Sequence, residues 1–519
     1  LGSASRDRLP WWRKLNVDLL LKGFVNLFAQ PDLILWVIIG GQAGIIFGMM
    51  PGLTTTTALS LLTGLTFKLG PERAIAVLMG AFVGSVTGGS RSAILINIPG
   101  TPAQAAVCLD GYQLTKKGRA AEALGVSVTS SSIGTFFGMI MLGLFTPILG
   151  AFALRFGTWE FFWLATFGVV IAGGLTSPND PWKGWIAGFF GLLIATVGQD
   201  GIHAYVRFTG GSFNLRAGFA LIPVLIGAYG IPEVFNAIRK QERFTIMTEV
   251  GRVLPRFREV FAHWRHILRS GIIGTFIGIV PGVGSDLASW VSYDTARRTS
   301  THPEEFGKGS IEGLIAAEGG DNACIGGDIV PVLTLAIPGS APAAVLLAAL
   351  TIHGLQPGPL MVLQHPTSIG QVFAMGLVAT AAVFVLSLVM VRQMVKILLI
   401  PRSVLMPIVF IIAVVGSFAL SGRLFDVYVM VVFGLIGLAM QELGYPIAPF
   451  VLGFILGPMM EDNFRRGLEL AGGSALPFFT RPISAVLIVL TLISILSRTP
   501  FPDWMRRQVK GLRLAPERR

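Results

Sequence analysis

An apolar chain is broken twice in almost the same words: "INIPGTPAQ" at residues 96–104 and "LAIPGSAPA" at 335–343. Pro has no N–H to donate and clashes with the preceding helical turn, and Gly opens the left-handed region, so each Pro-Gly pair interrupts a helix. Inside hydrocarbon every backbone N–H and C=O needs a partner. Such a break is tolerated only where protein or a water-filled cavity surrounds it. A second pair of breaks precedes these. "GIIFGMMPGLTTTTALSLL" (44–62) resembles "GTFIGIVPGVGSDLASWVS" (274–292). The order is the same in both parts of the chain, which predicts two homologous halves.

The rest of the composition fits a membrane setting. The chain has 519 residues, 53% hydrophobic and only 13% charged, against roughly 25% charged in soluble domains. Runs such as "LILWVIIGGQAGIIFGMM" and "VFAMGLVATAAVFVLSLVMV" are long enough to cross a bilayer, and about ten to twelve such segments are expected. The reading is an all-α polytopic membrane protein, with broken or re-entrant helices at the Pro-Gly motifs. The lipid bilayer is its surroundings.

The expected organisation is an amphipathic N-terminal segment at 1–30, a first membrane repeat at 31–235 and a basic amphipathic connector at 236–270. A second repeat at 271–460, a last membrane segment at 461–500 and a basic tail at 501–519 follow. Trp11 and Trp12 are expected at headgroup depth. Whether the halves run parallel or inverted is open at this stage.

The net charge of +12 gathers at Arg6, Arg8, Arg13 and Lys14, in the loop Lys116–Lys117–Arg119, along the connector, and at Arg506, Arg507 and Lys510. This is the distribution of cytoplasmic loops. It predicts cytoplasmic termini and no nucleic-acid partner. The two cysteines, Cys108 and Cys324, form no disulfide framework or metal-ligand pattern. Walker A, HExxH and GxSxG motifs are absent, so the expectation is a non-enzyme without a bound cofactor.

Each break is followed by residues suited to starting a helix. Thr101 precedes Pro102, Ser340 precedes Ala341-Pro342, Thr54 and Thr55 follow Pro51-Gly52, and Ser285 follows Gly282. Helix starts carry free N–H groups and about half a positive charge, which suits anions. Transporters with internal repeats place substrate and ions at such breaks. The candidate substrate-binding set is therefore Gly52, Thr54, Thr55, Ser90, Arg91, Asn97, Pro99, Gly100, Thr101, Gly282, Ser285, Asp286, Asn322, Pro338, Gly339 and Ser340. Freed carbonyls near Gly52, Gly100, Gly282 and Gly339, with Asp286 or Asp328, are candidates for a coupling Na⁺, or a carboxylate carries H⁺. Ionisable groups at membrane depth are costly and usually functional. Arg91 has two readings: it grips a substrate carboxylate, or it balances Asp286 or Asp328. Glu318 and Asp321 cluster with Asn322, expected near a wet helix end. Glu461 with Arg465, and Asp462 with Arg466, are spaced as i,i+4 pairs.

These stretches, with "GGSRSAILINIPGTPAQAAVCLDGYQLTKKGRAAEALG", "RFTGG", "HPEEFGKGSIEG" and "VLGFILGPMMEDNFRRGL", resemble the large membrane subunit of the tripartite tricarboxylate transporters. The resemblance covers most of 20–485. It implies a permease in the bacterial inner membrane that takes up carboxylates with Na⁺ or H⁺ by alternating access, in an elevator-like motion by analogy. The implied partners are a small membrane subunit of about four spans and a periplasmic solute-binding protein. A stand-alone organic-anion permease or exporter is the alternative.

Overall fold

The computed structural model describes residues 11–50, 52–177, 180–239, 253–398, 400 and 402–498. Arg6, Arg8, Pro51, residues 240–252 of the connector and the tail 501–519 lie outside the described residues.

The chain is helical almost throughout. In order come α1 (Trp11–Ala29), α2 (Pro31–Met49), α3 (Thr55–Thr66), α4 (Pro71–Ile96), α5 (Ala105–Lys116), α6 (Ala120–Ala153), α7 (Thr158–Thr176) and α8 (Pro181–Ala195). Then follow α9 (Leu221–Leu225), α10 (Ile231–Arg239), α11 (Phe257–Ala262), α12 (Trp264–Ile279), α13 (Gly284–Thr299), α14 (Ile311–Leu335), α15 (Ala341–Ile352) and α16 (Pro359–Gln364). The last are α17 (Pro366–Val389), α18 (Val391–Leu398), α19 (Arg402–Ala419), α20 (Leu424–Glu442), α21 (Ile447–Leu470), α22 (Pro477–Thr480) and α23 (Pro482–Arg498). Among the described residues, seven helical segments are long and apolar enough to cross a membrane: α2, α4, α6, α7, the stretch Leu221–Arg239, α17 and α20. Shorter apolar helices, α15 and α23 among them, accompany these. The protein is a multi-pass membrane protein. α14 is as long as the spanning helices, yet Glu318, Asp321 and Asp328 stand in its middle. It is buried continuously from Gly313 to Leu335, so protein rather than lipid surrounds those carboxylates.

Two compact units share the chain. One holds residues 1–155 and 219–439; the other holds 156–218 and 440–519. The first carries all four breaks. Its framework is glycine packing, which lets backbones approach closely where no hydrophobic force drives helices together. A β-carbon on Gly44 or Gly48 of α2 would lie 2.4 or 2.1 Å from the carbonyl oxygens of Ala81 and Ser85 on α4. The same relation joins α12 to α14. There Gly274 and Gly278 face the carbonyl oxygens of Gly320 and Cys324, at 2.2 and 2.6 Å. α6 lies along α14 through Gly134 against Gly319 and Gly138 against Ala323. Helix α1 joins this unit too: a β-carbon on Gly23 would lie 2.1 Å from the backbone of Gly370 on α17. The described end of the connector also packs here. Val253 and Val260 are buried, and the Arg256 amide donates to Thr129 Oγ1 of α6 at 2.9 Å.

In the second unit α7, α8 and α21 pack together. A β-carbon on Gly191 would lie 1.9 Å from the Phe450 carbonyl oxygen, and one on Gly453 2.1 Å from that of Gly188. α21 runs unbroken through residue 460, where the sequence placed a repeat boundary. Residues Gly198–Gln199 pair antiparallel with Val206–Arg207 in a short hairpin. Arg465 reaches Asp200 at 3.1 Å and Glu461 at 2.9 Å. Glu461 also receives Arg207. The expected Glu461–Arg465 pair is thus part of a network that ties the hairpin to the end of α21.

Candidate functional site

The first break is built from α4. Its last turn is closed by Asn97 in the left-handed conformation, φ 58° and ψ 31°, with the Ile98 amide donating to the Ser92 carbonyl at 3.3 Å. The chain then turns back through Pro99-Gly100. Gly100 fits against α2, where a β-carbon would lie 2.5 Å from the Gly48 carbonyl oxygen. Thr101 starts a 3-10 turn, Pro102–Gln104, that leads into α5. The Gln104 side chain accepts from the Thr101 amide at 2.7 Å.

The matching break is built in the same way from α14. Ala336 closes that helix at φ 56° and ψ 33°, and the Ile337 amide donates to the Pro331 carbonyl at 3.3 Å. Gly339 packs against α12, 2.1 Å at its would-be β-carbon from the Gly278 carbonyl oxygen. Ser340 caps α15 by accepting from the Ala343 amide at 3.3 Å, and its hydroxyl donates to Asp328. At the α2–α3 break, Gly52 sits at φ 90° and Thr54 caps α3 by accepting from the Thr57 amide. The expected helix starts at Thr54 and Ser340 are therefore capped as their residue types predict, while at Thr101 the Gln104 side chain takes the amide instead.

These pieces converge. The Ala103 amide of the first re-entrant turn acts electrostatically on Asp286 at the start of α13. Gln104 Nε2 donates to Asp321 Oδ2 on α14 at 2.8 Å, and the Ser285 side chain acts electrostatically on the same carboxyl. Gly284 lies against Ser340, with 2.7 Å between its would-be β-carbon and the Ser340 Cβ. Asp286 and Asn97 are exposed, and Gly52, Thr54, Pro99, Thr101, Gly282, Ser285 and Ser340 are partly exposed. Pro338 and Gly339 are buried. Two of the breaks and an accessible carboxylate thus lie at the start of α13 and the turn before α15.

Other expected site residues lie deeper. Asn322 is fully buried and accepts from Thr87 at 3.1 Å, while its amide donates to the Glu318 carbonyl at 3.0 Å. Glu318 accepts from Ser127 and Ser131 of α6 at 2.6 and 2.7 Å. Ser90 and Arg91 are buried on α4. The charge acting on Arg91 is that of Glu318, so its counter-charge is neither of the aspartates considered from sequence. Both Arg91 terminal nitrogens lack a hydrogen-bond partner among the described residues. Glu318, Asp321 and Asn322 form a buried polar cluster between α4, α6 and α14 rather than an exposed helix end. Asp328 is also buried, held by Ser340 and by the Cys324 thiol at 3.3 Å.

Two groups at the convergence escaped the sequence reading. The segment after α9 is a π turn, Ile226–Gly230, which brings Tyr229 within electrostatic reach of Asp286. One turn later Glu233 Oε2 lies 3.7 Å from where a Gly52 β-carbon would stand. The signal was present in "LIGAYGIPE", since Gly and Pro within an apolar run favour irregular turns. The serine cluster "VTSSS" of α6 likewise foretold a polar partner inside the protein. A separate cavity of about 490 Å³, lined by Gln30, Glu72, Arg73 and Gln371, contains none of the break residues.

The model of the tripartite tricarboxylate transporter TctA family matches residues 34–452. The chain belongs to that family. An uncharacterized 52.8 kDa protein in the TAR-I ttuC′ 3′ region of Agrobacterium vitis is 33% identical over 463 residues, covering 89% of this chain and 92% of the relative. An uncharacterized protein in the TAR-II ttuC′ 3′ region of the same organism is 34% identical over 223 residues, 43% of this chain and 92% of that relative. No solved structure gives a significant match. Membership makes this TctA-family chain a component of a tripartite tricarboxylate transporter and not an enzyme. The tripartite family implies a small membrane subunit and a periplasmic binding protein as its companions.

Proposed function

We propose that the chain is the permease subunit of a binding-protein-dependent importer that carries di- or tricarboxylates across the bacterial inner membrane with Na⁺ or H⁺. The observation that supports this reading is the meeting of the breaks: Gly284, before the accessible Asp286, lies against Ser340 at the start of α15, and Thr54 and Thr101 begin the matching segments of the other half. Helix starts of that kind suit a carboxylate, and unwound backbone with a carboxylate suits a cation.

We infer further that the two halves are an inverted repeat. The corresponding glycine contacts of α2 with α4 and of α12 with α14 support a duplication. Its inversion is supported by direction. Thr87 meets Asn322 while Arg91, one turn on, faces Glu318, one turn back, so α4 and α14 run antiparallel. α6 and α17 do the same through Gly143 with Phe373 and Gly376 with Met139. Inverted repeats support alternating access, and the location of all breaks in one compact unit supports its movement as a rigid body, elevator-like. The basic loop at Lys116–Arg119 then faces the cytoplasm.

Uptake in proteoliposomes containing the two membrane subunits tests the reading. Carboxylate accumulation should require the added binding protein and an ion gradient. Transport without the binding protein would defeat the tripartite mechanism for this chain. Replacing Na⁺ by choline at fixed pH separates the ions: lost uptake means Na⁺, and unchanged uptake means H⁺.

A further inference from the structure

We propose that Asp328 carries the co-transported proton, and that Ser340 relays its arrival to the acid by turning its own hydroxyl proton outward. The proposal rests on the carboxylate-importer reading and assigns the coupling ion and its residue within it.

The duplication isolates Asp328. Gly100 and Gly339 are the matching loop glycines. A β-carbon on Gly100 would lie 2.8 Å from the Gly89 Cα, and one on Gly339 2.9 Å from the Asp328 Cα. Gly89 and Asp328 therefore hold the same place in the two halves. Thr101 and Ser340, which follow the two Pro-Gly pairs, each give their hydroxyl to a side-chain oxygen. In the first half that oxygen is Gln104 Oε1, which fills the space left by Gly89, 2.7 Å from where its β-carbon would stand. In the second half it belongs to Asp328, and Ala343 stands in the place of Gln104. The loop thus asks only for an acceptor, and a neutral carboxamide is enough. The ionisable group of the second half is an addition that the turn itself does not need.

The surroundings of Asp328 suit a proton and not a metal ion. The residue is 2% exposed. Its Oδ1 lies 3.0 Å from the would-be β-carbons of both Gly278 and Gly339, so backbone closes on the carboxyl. Its two side-chain partners are donors: the Ser340 hydroxyl at Oδ2, and the Cys324 thiol at Oδ1, 3.3 Å away. A hard metal ion needs a shell of oxygen acceptors instead. The titratable groups that face Asp328 are Cys324 on α14 and Asp286 on α13, which acts on it by charge. α12 presents the Gly278 main chain, and the start of α15 presents Ser340. Among the described residues no Lys, Arg or His pairs with it. A buried carboxylate without a counter-charge is costly, which favours taking up a proton.

Ser340 can serve both forms of Asp328. A hydroxyl has one proton and two lone pairs. One lone pair receives the Ala343 amide. While Asp328 is ionised, the hydroxyl proton is given to it. Once a proton is bonded to Asp328 Oδ2, that O–H donates to the second lone pair of Ser340. The Ser340 proton is then free to point to the partly exposed side of the residue, where a carboxylate of the acid accepts it. Proton and acid thereby favour each other's binding. The proton comes from solution on the entry side and leaves Asp328 for solution on the exit side.

The complete transporter in proteoliposomes tests this, with malate and citrate as the probes. A pH indicator inside the vesicles reads proton entry and an isotope reads acid entry, so their ratio is independent of rate. In Asp328→Asn, which keeps a neutral acceptor as Gln104 does, the ratio of protons to acid should fall below that of wild type. Ser340→Ala keeps Asp328 and removes the relay. Its uptake of dilute acid should drop about tenfold or more at acid external pH, and should no longer rise as that pH falls. Ser340→Thr should restore both.

An unchanged ratio in Asp328→Asn, or an unchanged pH response in Ser340→Ala, would overturn the proposal while leaving the importer reading intact. Uptake that is lost when choline replaces Na⁺ would do the same. Failure of wild type to carry either acid would defeat both. Where Asp328→Asn melts lower than wild type, the Ser340 variants decide alone.

Discussion

Gly339 lies so close to Gly278 that a β-carbon on Gly339 would fall 2.1 Å from the Gly278 carbonyl oxygen. Gly100 stands in the same relation to Gly48, at 2.5 Å. The re-entrant loops are thus seated directly on backbone. Gly339→Ala and Gly100→Ala should each destabilise by about 1–3 kcal/mol or more, because the obstacle is a main-chain atom that cannot rotate away. Gly416 is the control, since a β-carbon there would meet nothing closer than 3.6 Å. Gly416→Ala should be neutral or stabilising by up to about 1 kcal/mol, as helical Gly→Ala changes are. Thermal unfolding of the purified protein in detergent compares the three.

Ala336 occupies a left-handed position that its partner Asn97 tolerates better. An L-residue with a β-carbon pays roughly 1–2 kcal/mol there, and Asn pays less because its side chain bonds locally. Ala336→Gly should therefore raise the melting temperature. Asn97→Gly should change it little. A lower melting temperature for Ala336→Gly would mean that its methyl, 3.4 Å from where a Gly358 β-carbon would stand, contributes packing that outweighs the strain.

Glu318 is fully buried, held by two serine hydroxyls, and is the charge that acts on buried Arg91. Glu318→Gln should cost about 1–3 kcal/mol, because it disturbs the two buried serine hydrogen bonds and removes the charge that acts on Arg91. Adding Arg91→Met should recover part of that loss, because no uncompensated guanidinium then remains. If the double variant still transports, Arg91 serves α14 and not the substrate.

Asp200 anchors the hairpin of the second unit outside the spanning helices. Burial pushes its carboxyl up, but the amides of Ile202 and His203, with Arg465 and Arg207, hold it on balance below the usual aspartate range. A carboxyl lowered in the folded state adds stability above its unfolded value and loses it as pH falls through the folded one. Amides 198–207 should therefore exchange faster as pH drops below about 4, relative to the intrinsic rate at each pH. Asp200→Asn should remove that pH dependence. An identical acid response in the variant would assign it to other groups.

Local chemistry made part of this protein legible. Pro-Gly pairs in apolar surroundings announced the breaks, and Thr54 and Ser340 announced the capped starts, because a cap is decided within four residues. Glu318, Asp321 and Asn322 were expected near a wet helix end, because hydrocarbon rejects such charges; packing instead buried them among α4, α6 and α14. The sequence also carried the duplicated glycine spacing. It could not say which carbonyl each glycine would meet, nor that Arg91 would face Glu318. That pairing requires α4 and α14 to run antiparallel, and residues more than two hundred positions apart meet only when helices are packed. Spacing and residue type, acting over one or two turns, fixed where the backbone breaks. Packing direction between helices, which no local term controls, decided which polar groups the breaks bring together.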